Sequence, residues 1–197
     1  MFPSRPPIAA ILLLLLGTVA VSEAQTPLSQ VAADRLPTCL ACHGDRGHSA
    51  TDGVPSLGAM PVNYVLTQLY LFREKIRKVE IMNAMAEGLT DDDLRSLAAT
   101  INALPPPRPA APVPEAERTT ASNLVERYHC NSCHGAQLEG QVTIPRIAGQ
   151  REDYLAAALA GYKSNARRGY SPAMNEAAQE IADPDIPVLA RYIASLP

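Results

Sequence analysis

The sequence has no tryptophan and only two phenylalanines, and aromatic residues make up 5% of its 197 positions. One large core built around bulky rings is therefore excluded, and a small core relying on its own side chains is short of material. Charge of one sign is lacking too, since 17 basic and 20 acidic side chains leave a formal charge of −3. With no basic field to hold a phosphate backbone, nucleic-acid binding is excluded. Runs that alternate apolar and polar residues are also missing, which leaves helices as the building elements. The long apolar run from Ile8 to Val21 covers only 14 residues, short for a membrane span. Preceded by Arg5 and followed by Ser22-Glu23-Ala24, it reads as an export signal over residues 1–24, cleaved after Ala24. The mature chain is then expected in the periplasm without a membrane span, in a compartment where loose thiols oxidise.

What is present is a duplication. All four cysteines lie in Cys39-Leu40-Ala41-Cys42-His43 and Cys130-Asn131-Ser132-Cys133-His134, 91 residues apart. Pro55 pairs with Pro145, Tyr64 with Tyr154 and Phe72 with Tyr162 at a spacing of 90, then Met82 with Met174 and Asp93 with Asp185 at 92. The proline-rich stretch from Pro105 to Pro114 separates the copies and favours extended chain. The organisation expected is therefore an N-terminal unit over 25–104, a linker over 105–117 and a C-terminal unit over 118–197. In each, a short helix should lead into the cysteine motif. Middle helices are expected over Val62 to Arg73 and Glu152 to Lys163. The last helix of the first unit starts after Thr90 as N-cap, and that of the second is expected to start at Pro184 with Asp183 as its cap.

Cys-x-x-Cys-His is the attachment signal for c-type haem: both cysteines add to the vinyl groups, and the adjacent histidine faces the iron. Cys39, Cys42, Cys130 and Cys133 thus point to two covalently bound haem c groups, with His43 and His134 as axial ligands. A zinc site would have to unite pairs 91 residues apart and leaves the histidines unexplained. A thioredoxin-like pair lacks its strand-helix-strand context, and simple disulfides leave the ring-poor cores empty. The repeat selects the opposite ligands, because Met174 is the sole methionine of the second half and aligns with Met82. Met60 and Met85 read as packing residues, and His48 and His129 as solvent-facing. Pro55 and Pro145 are placed to take the second ring proton of each histidine. Tyr64, Tyr154, Arg77, Lys78, Arg167 and Arg168 have two readings, contact with haem propionates or ordinary packing and solvated charge.

These motifs resemble the class I cytochromes c, specifically the dihaem cytochromes of the c-four type. The resemblance runs through Cys39 to Gly44, Cys130 to Gly135, Pro-Ser-Leu-Gly from Pro55, Pro-Arg-Ile-Ala-Gly-Gln from Pro145 and the stretch Ile81 to Leu89. It implies an all-α fold of two tandem class I cytochrome c domains, and Met82 and Met174 as axial ligands. The first copy departs from it at Ala59-Met60, where the second has Gly149-Gln150. The function implied is electron transport rather than catalysis, between a quinol-oxidising complex or dehydrogenase and a terminal oxidase of a respiratory chain, with peripheral membrane association compatible. The alternative is a dedicated cytochrome subunit of a periplasmic sulfur, sulfide or alcohol dehydrogenase.

If haem replaces the missing rings of the core, a Cys39→Ala, Cys42→Ala protein loses the folded first half and keeps the second. Circular dichroism should show part of the helical signal gone and one thermal transition left. Native helicity without the first haem would show that the side chains suffice.

Overall fold

The computed structural model describes residues 29–167 and 171–197, so the export-signal reading and Arg168 lie outside the described residues. Nine α-helices occur among them, with one isolated bridge between Gln141 and Ile144 and no strand. The first half comprises α1 (Gln30–His43), α2 (Val62–Arg73), α3 (Glu80–Ala86) and α4 (Asp91–Asn102). The second comprises α5 (Glu115–Arg127), α6 (Cys130–His134), α7 (Glu152–Lys163), α8 (Pro172–Glu180) and α9 (Asp185–Ala194).

The middle helices start and stop where the apolar spacing puts them. In α4 the Thr90 side chain accepts from Asp93 N–H while the Asp93 carboxylate accepts from Thr90 N–H, a reciprocal cap worth about 1 kcal/mol. Ser29, the cap of α1, donates its hydroxyl to the same Asp93, so the starts of α1 and α4 are tied together. Leu94, Leu97 and Ala98 of α4 are buried, the first two against Ala32 and Phe72, the last beside Met60 and Val65. In the second half one cluster gathers Leu124, Val125, Leu138, Leu155, Ile186, Leu189 and Ile193.

Three expectations are corrected. First, α1 runs through the cysteine motif with Pro37 inside it, whereas in the second half His129, at φ 53°, separates α5 from α6. Second, α9 begins at Asp185 and Asp183 does not cap it; its carboxylate is drawn instead to the Lys163 ammonium, 3.0 Å away. Third, α5 starts at Glu115, directly after Pro114, so the end of the expected linker is helical. The helices α3 and α8, which carry Met82 and Met174, form in stretches whose few apolar residues give no clear helical stripe. The linker itself is docked rather than free. Pro107 and Val113 are buried, Ala110 N–H donates to the Ala194 carbonyl at 2.8 Å, and Arg108 N–H donates to His48 Nδ1 at 3.1 Å.

The duplication extends to the backbone. Leu57 and Gly58 N–H share the Gly47 carbonyl, as Ile147 and Ala148 N–H share that of Leu138. Ala59 and Gly149 hold the left-handed region at φ 53° and 69° and donate to the Leu104 and Ile193 carbonyls of the last helices' ends. The halves meet through Arg151, paired with Asp52 at 2.8 Å, and through Asp153, which accepts from Gly53 N–H at 2.7 Å. Beside these, the Gln150 side chain bonds both backbone groups of Ser56.

An alanine in the left-handed region costs roughly 1–2 kcal/mol. Ala59→Gly is therefore expected to stabilise the haem-loaded protein by up to ~1 kcal/mol, after the extra freedom of the unfolded glycine. Gly149→Ala should destabilise it by at least as much, because its Cβ would also lie 3.1 Å from the Pro107 carbonyl oxygen. Denaturant unfolding of both variants measures the two signs.

Candidate functional site

In each half the site starts at the C-terminal end of the motif helix. Cys42 and Cys133 are exposed, Cys39 and Cys130 half-buried, and none of the four is in a disulfide. Burial holds the Cys39 and Cys130 thiols above the ordinary thiol range. Among the described residues no group of three or more His, Cys, Asp or Glu is gathered to hold an ion, so the zinc alternative has no donor set.

Immediately after each motif Gly44 and Gly135 turn the chain back at φ 86° and 90°. A Cβ on Gly44 would lie 1.8 Å from the His48 carbonyl oxygen, so only glycine permits this turn. The return loop brings a proline carbonyl over each imidazole. His43 Nδ1 is 2.8 Å from the Pro55 oxygen and His134 Nδ1 is 2.9 Å from that of Pro145. A carbonyl can only accept, so both rings carry their proton on Nδ1. Burial lowers the pKa of both histidines, opposed by the bond to the proline carbonyl, and the neutral ring leaves an Nε2 lone pair. A neutral imidazole oriented by a second-nitrogen bond is the form that binds a metal.

The methionines sit on α3 and α8, packed against the middle helices. Met82 is half-buried against the cluster of Phe72, Ala86 and Leu89, and Met174 is half-buried on α8. Each is followed by an asparagine that pins its helix to the end of the middle one. Asn83 Nδ2 donates to the Phe72 and Arg77 carbonyls at 2.7 and 2.8 Å, and Asn175 Nδ2 to those of Tyr162 and Arg167 at 2.8 and 3.3 Å. Sequence reasoning passed over these two residues, although Asn83 and Asn175 keep the repeat spacing of the methionines. Met60 lies in the core beside Val65, Ala98 and Ile101. Met85 is half-buried on α3; His48 and His129 are exposed.

At the junction of the halves Tyr64, Tyr154, Arg77 and Arg167 come together. The Tyr154 hydroxyl accepts from Arg167 Nη2 at 2.7 Å and faces Arg77 Nη2 at 3.5 Å. Burial raises its pKa, but the two guanidiniums outweigh burial and bring it below the usual tyrosine value. Burial, then the neighbouring Tyr154, push Tyr64 upward instead.

The residues fit two haem c groups. Each half offers two unpaired thiols and a neutral histidine with a free lone pair on one motif. In the second half the buried Arg146 Nε, next to Pro145, has no hydrogen-bond partner in the protein, which suits an anionic group such as a propionate. Among the described residues no helix is long and apolar enough to cross a membrane.

The cytochrome c family profile matches residues 120–197. The thiosulfate dehydrogenase electron acceptor of Stutzerimonas stutzeri strain A1501 is 30% identical, across 96% of this chain and 94% of its own length. Cytochrome c4 of Thiocapsa roseopersicina is 33% identical, across 80% of this chain and 86% of its own. The crystal structure of reduced recombinant cytochrome c4 from Pseudomonas stutzeri superposes with a TM-score of 0.75 at 25% identity, covering 84% of this chain and 97% of that one. With one attachment motif in each half of such a fold, the chain belongs to the dihaem cytochromes c of the c4 type, electron-transfer proteins that hold haem c covalently.

Proposed function

We propose that this chain carries single electrons in the periplasm, from a quinol-oxidising complex or a dehydrogenase to a terminal oxidase. The observation that carries this reading is the repeated pair of neutral histidines, each tied through Nδ1 to a proline carbonyl and so presenting Nε2. A haem held by these residues would supply reversible one-electron chemistry. His43 and Met82 serve as the ligands of the first half, His134 and Met174 as those of the second. Cys39, Cys42, Cys130 and Cys133 supply the thioether links. The asparagine clamps hold the methionine helices against the middle helices, so that Met82 and Met174 would be positioned to offer their thioethers to the group.

The likeness to a thiosulfate dehydrogenase electron acceptor favours a second reading, a cytochrome dedicated to a periplasmic dehydrogenase of sulfur compounds. Purification from native membranes separates the two. A free protein reduced by a quinol-oxidising complex supports the carrier, and stoichiometric co-migration with a dehydrogenase supports the subunit.

Replacing Met82 or Met174 by Ala removes a soft thioether that favours ferrous iron, so the potential of that haem should fall. The sulfur-to-iron charge-transfer band of the oxidised protein should lose the share of the altered half in each variant. Met60→Leu should leave the band intact; its loss there would make Met60 the ligand of the first half.

A further inference from the structure

The contact between Gln150 and Ser56 reaches further than the junction of the halves. Gln150 is 2% exposed; its Oε1 accepts from Ser56 N–H at 2.8 Å and its Nε2 donates to the Ser56 carbonyl at 2.9 Å. The same Oε1 also accepts from Arg151 N–H at 2.9 Å. Ser56 N–H belongs to the peptide unit whose oxygen is the Pro55 carbonyl, the acceptor of His43 Nδ1–H at 2.8 Å. A single amide therefore connects the Gln150 side chain of the second half to the imidazole of the first. Hydrogen bonds in such a chain polarise one another. An acceptor on the N–H end moves electron density to the carbonyl oxygen, which then pulls harder on the ring proton and makes Nε2 more electron-rich.

The second half has no equivalent. Pro145 takes the proton of His134 at 2.9 Å, but the N–H of that peptide unit, on Arg146, has no hydrogen-bond acceptor among the described residues. In the repeat, the place of Gln150 is taken by Met60, which is buried in its own core and carries no amide to return the contact.

We infer that Gln150 is a positioning residue for the other half: through the Ser56–Pro55 peptide it strengthens the hold on His43 and lowers the reduction potential of the first haem alone. A more electron-rich imidazole favours the ferric state, which sets the sign. The inference rests on His43 being an axial ligand, and the test keeps the two apart.

The full-length, haem-loaded Gln150→Met protein, which carries the first-half residue, is titrated with both haems resolved. Asp52→Asn, which breaks the exposed pair to Arg151 across the same junction without touching the peptide, is the control. Gln150→Met should raise the potential of the first haem and leave that of the second, while Asp52→Asn leaves both. A retained low-spin spectrum and sulfur-to-iron band in the variant show that the ligands are in place. With them in place, an unmoved first potential overturns the inference, and so does an equal rise of both haems in the two variants, which is the mark of a loosened junction. A His43→Gly protein with an unchanged low-spin spectrum would instead overturn the ligand reading. A second measurement needs no Gln150 variant: in the ferrous wild type the His43 Nδ1–H resonance should lie further downfield than that of His134. The reverse order overturns the inference.

Discussion

An imidazole can hold iron only through a nitrogen without a proton, and the bonds from His43 to Pro55 and from His134 to Pro145 decide which nitrogen that is. Much of the loop structure in each half keeps those carbonyls where they are. Gly44 and Gly135 allow the reversal after the histidine, and the Gly47 and Leu138 carbonyls each anchor two N–H groups beyond the proline. Ala59 and Gly149 fasten the far end of the same loop to the end of the last helix. A loop held at both ends presents its carbonyl with little freedom, so the cost of orienting the ring is met on folding rather than on electron transfer.

Much of this was legible in the sequence because the cofactor and the duplication constrain it. Cysteine spacing is imposed by the haem vinyl groups, and the repeat transfers what is clear in one half to the other, as with Met174 and Met82. Both middle helices could be bounded because Val65, Leu69 and Phe72 mark an apolar face that the alanine-rich α7 inherits by alignment. The remainder was hidden for particular reasons. Ala59 gives no sign of a left-handed backbone, since alanine ordinarily avoids it and only the loop geometry imposes it. Asp183 looks like a cap until Lys163, 20 positions away in sequence, competes for it. The Gln150 contact joins residues 94 apart and breaks the repeat, so neither local pattern nor internal alignment points to it.

The halves are alike in plan and different in filling. Leu66 and Tyr70 of α2 stand where α7 has Ala156 and Ala160, and the cap of α4 is reciprocal where α9 has none. The first half divides its core into two clusters around α4, and the second gathers one. A duplicated scaffold thus places two similar redox centres in dissimilar surroundings. Differences in burial, charge and hydrogen bonding around each centre are the levers by which a protein sets one potential apart from another.

The linker has a thermodynamic consequence of its own. The contacts between the halves are mostly polar: a carboxamide on a backbone, an ion pair, and the Tyr154 phenol facing the Arg77 guanidinium. Two free proteins meeting through such contacts would bind weakly, because exposed ion pairs contribute little and association costs translational and rotational freedom. The strap, docked through Pro107, Val113 and Ala110 and bonded to His48, removes most of that cost by making the encounter intramolecular. Short tethers give effective concentrations on the order of millimolar, at which a modest interface stays closed most of the time. The junction can therefore remain polar and still keep the two halves in lasting contact.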